Sequence, residues 1–348
     1  MSPNRKRPLS RALVAAVATV LCLAKPAVAH ELLYVESSLT GVVSVIDAHT
    51  FQVVTQVTIG DTTDDIIGSP DGRVAYGNAK IPSHSLFYEA IDAGKVYALD
   101  TKTNKILWTT GIIGEPQHLT VSKDGHRLFE PSFTENYINV LDTATGKIIA
   151  RWPSVIGNHG TELSPDGKRL YVGNMFRQAI LVYDTDTGEV LKIIETGEAV
   201  RPFKFDRAEK TLYIQLSKLH GFDVRDIATG TLIKRVLLPS IGKMPEVGFP
   251  YTVNHGMAIT PDGTKLVVAG SAQNFVAVYS LPDLKLLATV PTGTDGNWIR
   301  IRADSKAAFI TNRGSNDISV VDLDALKEIA RIPVGGRPER FSIIDVPE

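Results

Sequence analysis

The chain has a single cysteine, Cys22, and it falls within the first thirty residues. From residue 30 onward there is no thiol, so neither a disulfide framework nor a cysteine metal site is available. The later chain also lacks a run of lysine and arginine of the kind that follows a phosphate backbone. It holds no apolar stretch of the roughly 20 residues that a membrane span requires. No nucleic-acid partner and no membrane span are therefore expected. Four catalytic signatures are absent too: the nucleophile elbow, the phosphate-cradling glycine loop, His-Glu-x-x-His and the EF-hand loop. Classical hydrolase and nucleotide chemistry have no support in the sequence.

What is present begins with a leader. Arg5, Lys6, Arg7 and Arg11 precede an apolar run from Ala12 to Ala24, followed by Ala27-Val28-Ala29. A basic start, a short apolar run and a small-x-small site make a cleavable signal peptide. Cleavage is expected after Ala29, giving a signal segment of residues 1–29, a mature domain of residues 30–348 and a periplasmic or secreted location. Cys22 follows Leu21 rather than the small residue a lipid-anchoring signal needs, so lipid attachment is not expected. Removal of residues 1–29 takes five basic and no acidic side chains, moving the formal charge from −1 to −6. Such a surface is soluble and does not attract phosphate backbones.

The mature chain divides into seven similar units beginning near Leu32, Arg73, Arg127, Arg169, Thr211, Lys265 and Ala307. Most span roughly 42 residues, the length of a propeller blade. The fourth unit shows four short strands: Leu170 to Val172, Ala179 to Tyr183, Val190 to Ile194 and Phe203 to Phe205. Between the second and third of these comes an Asp-x-x-Thr-Gly turn, as at Asp142 to Gly146, Asp184 to Gly188 and Asp226 to Gly230. The Asp side chain bonds nearby amides and glycine accepts a positive φ, which is hairpin chemistry. Ahead of each next unit comes Ser-Pro-Asp-Gly or a relative, at Ser69, Ser122, Ser164 and Thr260. Four-strand units repeated seven times, with no helix-period segment, predict an all-β, seven-bladed β-propeller of four-stranded antiparallel blades.

Ser164-Pro-Asp-Gly-Lys-Arg-Leu-Tyr-Val-Gly-Asn174, Ala308 to Asn312, Ile318 to Asp322 and the closing Ile332 to Pro338 resemble the YVTN-repeat family of secreted bacterial propellers. More distantly, the chain resembles the propeller large subunit of quinoprotein amine dehydrogenases. The resemblance spans nearly all of the mature chain and implies fold; its motif residues build strands and turns rather than a site. In the amine dehydrogenases the quinone chemistry belongs to another subunit, and nothing in this chain encodes such a cofactor. The phase of the repeat also predicts closure. The mature chain starts with a second strand, Leu32 to Val35, and ends with an innermost-type strand, Phe341 to Ile344, so the C-terminal strand should complete the first blade.

If both turn types share one face, the long insertions Ala79–Gly94 and Pro239–Asn254 decorate the other and cover the channel mouth. Aligned units bring one polar column to that mouth: Asp64, Gln117, His159, Arg201, His255, Asn297 and Glu339. The next position adds Asp65, His118, Trp298 and Arg340. Two functions follow. In the first, the decorated face holds a small ligand or a periplasmic protein partner, with Arg201, Trp298, Arg340, Tyr88 and Tyr251 as ligand contacts. In the second, His118, His159 and His255 hold one transition-metal ion, copper, iron or zinc, for an oxidoreductase or lyase. Arg201 and Glu162 would then be its catalytic candidates. The plainer reading of the same histidines is a wet channel mouth lined by polar side chains. Glu162, Lys204 and Arg300 occupy equivalent inner-strand positions and are expected to pair as a charge ladder.

Overall fold

The computed structural model describes Met1 and residues 30–80, 94–242 and 252–348. The leader, Tyr88 and Tyr251 lie outside the described residues. Seven sheets of four antiparallel strands stand in a ring. Blade four consists of Asn158–Leu163, Arg169–Asn174, Ala179–Asp184 and Val190–Glu195. Among the described residues the only helix is the 3-10 turn Ser271–Gln273.

The burial of each strand follows from its place in the blade. Leu170 to Asn174 and Ala179 to Tyr183 are buried without interruption, because a middle strand has a neighbouring blade against each face. The outer strand Val53–Thr58 instead alternates between exposed and half-buried residues. Cores lie between blades rather than within one. Phe129, Ile138, Val140 and Trp152 of blade three pack on Leu170, Val172 and Tyr183 of blade four. Leu33, Val35 and Phe341 of blade one pack on Phe309, Ile318 and Val320 of blade seven. Each such fully buried large side chain contributes about 1.5–3 kcal/mol relative to exposure.

The repeated turns bond as their residues dictate. The Ser164 hydroxyl donates to Asp166 Oδ1 at 2.6 Å and accepts the Arg169 amide at 2.9 Å. Asp184 Oδ1 accepts the amides of Asp186 and Thr187, both at 2.9 Å. Gly188 closes that turn at φ +74° with its α-carbon against Trp152, where an added Cβ would lie 2.3 Å from the ring. The Thr185 hydroxyl donates to the Gly167 carbonyl at 2.8 Å, so the two turn types touch and share one face. The strand Pro338–Val346 pairs antiparallel with His30–Ser37, placing Leu33 opposite Ile343 and Val35 opposite Phe341. The last strand of the chain thereby closes the ring by completing blade one, as the phase of the repeat predicts.

Candidate functional site

The first strand of each blade faces the ring's centre, and residues at its head open away from the turns. Asp64, Gln117, His159, Arg201, His255 and Glu339 line a cavity of about 420 Å³ there. The seventh member of the column, Asn297, donates its side-chain amide to Glu339 at 3.1 Å. Lys80 and His255, at or beside the described ends of the two long insertions, line the same cavity. Farther along the same strands, Asp65, His118, Glu162, Lys204, Trp298 and Arg300 line a second cavity of about 380 Å³.

A layer of four rings separates the two. His118 lies 4.6 Å from His159 and 4.8 Å from Trp298 between ring centroids. His255 lies 5.8 Å from His159 and 5.9 Å from Trp298. All four are buried. The guanidinium carbons of Arg300 and Arg340 sit 5.2 and 5.6 Å from the Trp298 ring, in reach of its π face. His255 Nδ1 lies 3.1 Å from the Asn297 carbonyl, an acceptor, so this nitrogen carries the proton of the neutral ring.

The charges around this layer are predominantly positive. Asp64 pairs with Arg340 at 2.5 Å and Lys80 at 3.6 Å, and Lys80 also meets Glu115 at 2.6 Å. Glu339 meets Arg313 at 3.5 Å and Arg337 at 3.3 Å. Burial works against the Asp64 charge, but Arg340 and Lys80 outweigh it and hold this carboxyl below its usual range. Arg201 donates from Nε to the Ser217 hydroxyl at 2.8 Å. Burial, then the Arg340 and Arg313 charges, lower its pKa to about 10. The same causes act on the imidazoles. Burial first and neighbouring guanidinium groups second pull all three well below 6.5: Arg340 beside His118, Arg201 and Arg340 beside His159 and His255. The rings are therefore neutral at physiological pH and sit in a field that favours an anion. Below the layer, burial pushes Asp65 up to about 6 despite Arg340, while its Oδ2 accepts the Leu119 amide at 2.7 Å.

No family model and no curated protein matches this chain. Solved structures do. The Pseudomonas aeruginosa periplasmic gluconolactonase superposes with a TM-score of 0.72 at 16% identity, over 91% of this chain and 99% of that one. A Desulfotomaculum acetoxidans protein of unknown function gives 0.73 at 12% identity, over 92% and 100%. Kuenenia stuttgartiensis hydrazine synthase gives 0.67 at 18% identity, over 88% and 99%. What is shared is the propeller fold. At these identities it is the fold alone.

The site residues expected from sequence are not all in one place. Arg201 and Arg340 do line the mouth cavity together. Glu162 does not join them: it lies beyond the ring layer, where it accepts from Lys204 Nζ. It stands three residues past His159 on the same strand, and that rise carries it into the lower cavity. The three histidines do converge, but as rings packed edge and face with Trp298. Among the described residues no group of three or more His, Cys, Asp or Glu side chains is disposed to hold a metal ion. Trp298 packs against both His118 and His255 in this layer. Trp298 itself, 6% exposed, belongs to that layer and lines the lower cavity rather than the mouth. Sequence reasoning missed Lys80, Arg313 and Arg337 as mouth residues and Asp65 as a perturbed acid. Lys80 ends its strand and Arg313 and Arg337 sit one residue outside theirs, and charge at those positions was the available signal.

Proposed function

We propose that this chain is an exported binding propeller whose loop-decorated face takes a small anion, a carboxylate or a phosphate, at the channel mouth. The observation that carries this reading is the lining of the 420 Å³ cavity. Leaving Arg201 aside, four cationic side chains, Lys80, Arg313, Arg337 and Arg340, line it with three carboxylates over a floor of neutral His159 and His255, and Arg313 is also held by Asp295 from outside the lining at 3.0 Å. Each of those carboxylates is already in an ion pair. Guanidinium forks suit both carboxylates and phosphates. The described lining holds no Ser, Thr or Cys, so it offers no hydroxyl or thiol nucleophile. The cavity also lies within the range of about 300–1,000 Å³ typical of small-molecule sites. A lactonase and a hydrazine synthase share this fold while their names describe different chemistry, so the ligand class is argued from the site and not from the fold.

The test is calorimetric titration of protein recovered from the periplasm, with an N-terminus expected at His30, against sulfate and acetate in the presence of EDTA. Millimolar or tighter binding of at least one anion is expected. Arg201→Gln and Arg313→Gln should each weaken it about tenfold or more, the loss of one charged hydrogen bond. A folded wild type that takes up neither anion overturns the proposal. Binding abolished by EDTA and restored by zinc, copper or iron would also overturn it, in favour of a metal centre.

A further inference from the structure

The mouth cavity is polarised across its width. Arg313, Arg337 and Arg340 belong to the junction of blades seven and one. On the far side of the seven-membered ring, blades three and four contribute Phe133 and Met175 to the same lining. These two are firmly placed. The Phe133 amide donates to the Glu115 carbonyl at 2.8 Å, and its own carbonyl accepts the Gly157 amide at 2.7 Å. The Met175 amide donates to the Gly157 carbonyl at 2.8 Å. The ledge continues outward, since Phe133 meets Phe176 at 5.2 Å between centroids and Phe176 lies against Gly157. Beside it Ile156 is 50% exposed. Arg201, on blade five, also lines the cavity, but three of its four arginines stand on one wall and an aromatic and a thioether on the other, a lining less suited to an inorganic ion than one of arginines throughout.

We infer that the ligand is an amphipathic anion, a small carboxylate or phosphate ester whose charged end meets Arg313 and Arg340 and whose aromatic or branched apolar group lies on Phe133 and Met175. This rests on the anion reading above and adds the ligand's second half. Phenylalanine and methionine make the apolar wall adaptable: an aryl group meets Phe133 edge to face or offset, and the unbranched Met175 side chain moulds to it. The wall discriminates by burial of apolar surface and the opposite wall by charge, so a ligand needs both parts to bind well.

The experiment compares three probes on the exported protein by calorimetry and ligand-observed NMR: acetate, 3-phenylpropionate and the uncharged 3-phenylpropanamide. The acid should bind at least tenfold more tightly than acetate, the amide should bind far more weakly than the acid, and Phe133→Ala should erase the advantage of the acid over acetate. Labelling the methionine methyl groups adds a readout that needs no variant, because the Met175 signal should shift with 3-phenylpropionate and not with acetate. Equal affinity for acetate and 3-phenylpropionate, or a Met175 signal indifferent to the phenyl group, overturns this inference and leaves anion binding standing. Amide binding as tight as that of the acid, or no binding of either acid, overturns this inference, and the anion reading falls with it only if sulfate is not bound either.

Discussion

Glu130 shows what a single residue costs and contributes in this fold. It is fully buried in blade three, at the position that Val172 takes in blade four, and its Oε2 accepts the Asn139 amide at 2.6 Å. Burial, against the pull of that bond, raises its pKa to about 7. The folded value lies above the ordinary 4.5, so the native state holds this proton more tightly than the unfolded chain. The corresponding stability is complete below pH 4.5 and is lost as pH rises to about 7, roughly 3 kcal/mol in all. Glu130→Gln keeps the shape and cannot ionise. It should match the wild type near pH 5 and exceed its Tm increasingly up to pH 8. Parallel Tm curves would show that Glu130 is not the titrating group. The sequence reveals a charged residue in an apolar strand, but only the packed neighbour makes its ionisation costly.

At the level of the element, the strand Pro338–Val346 bears the most consequence. It pairs with His30–Ser37 on one edge, and its Phe341 and Ile344 enter the cores that blade one shares with blades seven and two. It also supplies Glu339 and Arg340 to the mouth, so closure and site depend on one strand. Deletion of residues 338–348 should therefore abolish cooperative unfolding and leave an aggregating chain, measured by denaturant titration and gel filtration. Removal of Pro347 and Glu348 alone should shift Tm by no more than about 2 °C, as for an ordinary tail. A cooperatively folded product of the longer deletion would mean that the other six blades hold the ring shut by themselves. This role was legible in the order of strands, because a chain that opens on a second strand must find its first strand elsewhere.

At the scale of the whole molecule, charge at the mouth is expected to couple to protons in the ring layer. The three imidazoles are kept neutral by burial and then by guanidinium groups contributed from blades one, five and seven, an arrangement no single blade contains. An anion bound beside them offsets the second cause and raises their pKa. Binding of sulfate, which does not itself titrate here, should thus draw protons from solution and tighten as pH falls from 7 to 6. Calorimetry at pH 6 in two buffers of different ionisation heat measures that uptake. A value of zero would mean that the rings stay neutral throughout and that the arginines act alone.

The sequence by itself determined the seven units, their turns, the plain face and the closing strand, since each follows from local periodicity and from where Asp, Pro and Gly stand. It also determined that Asp64, Gln117, His159, Arg201, His255, Asn297 and Glu339 would meet, because equivalent positions in a closed repeat lie on one circle. That this column lines the mouth while Asp65, His118 and Trp298 of the next position line a second cavity was decided only by the tertiary structure. Side chains on neighbouring inner strands compete for the narrow centre of the ring, and there Trp298 packs on His118 and His255 while His159 packs on both histidines. Arg201 and Arg340 line the mouth and Glu162 the lower cavity; the three-residue step from His159 to Glu162 is visible in the chain, but that a layer of rings divides the two cavities depends on distances between blades.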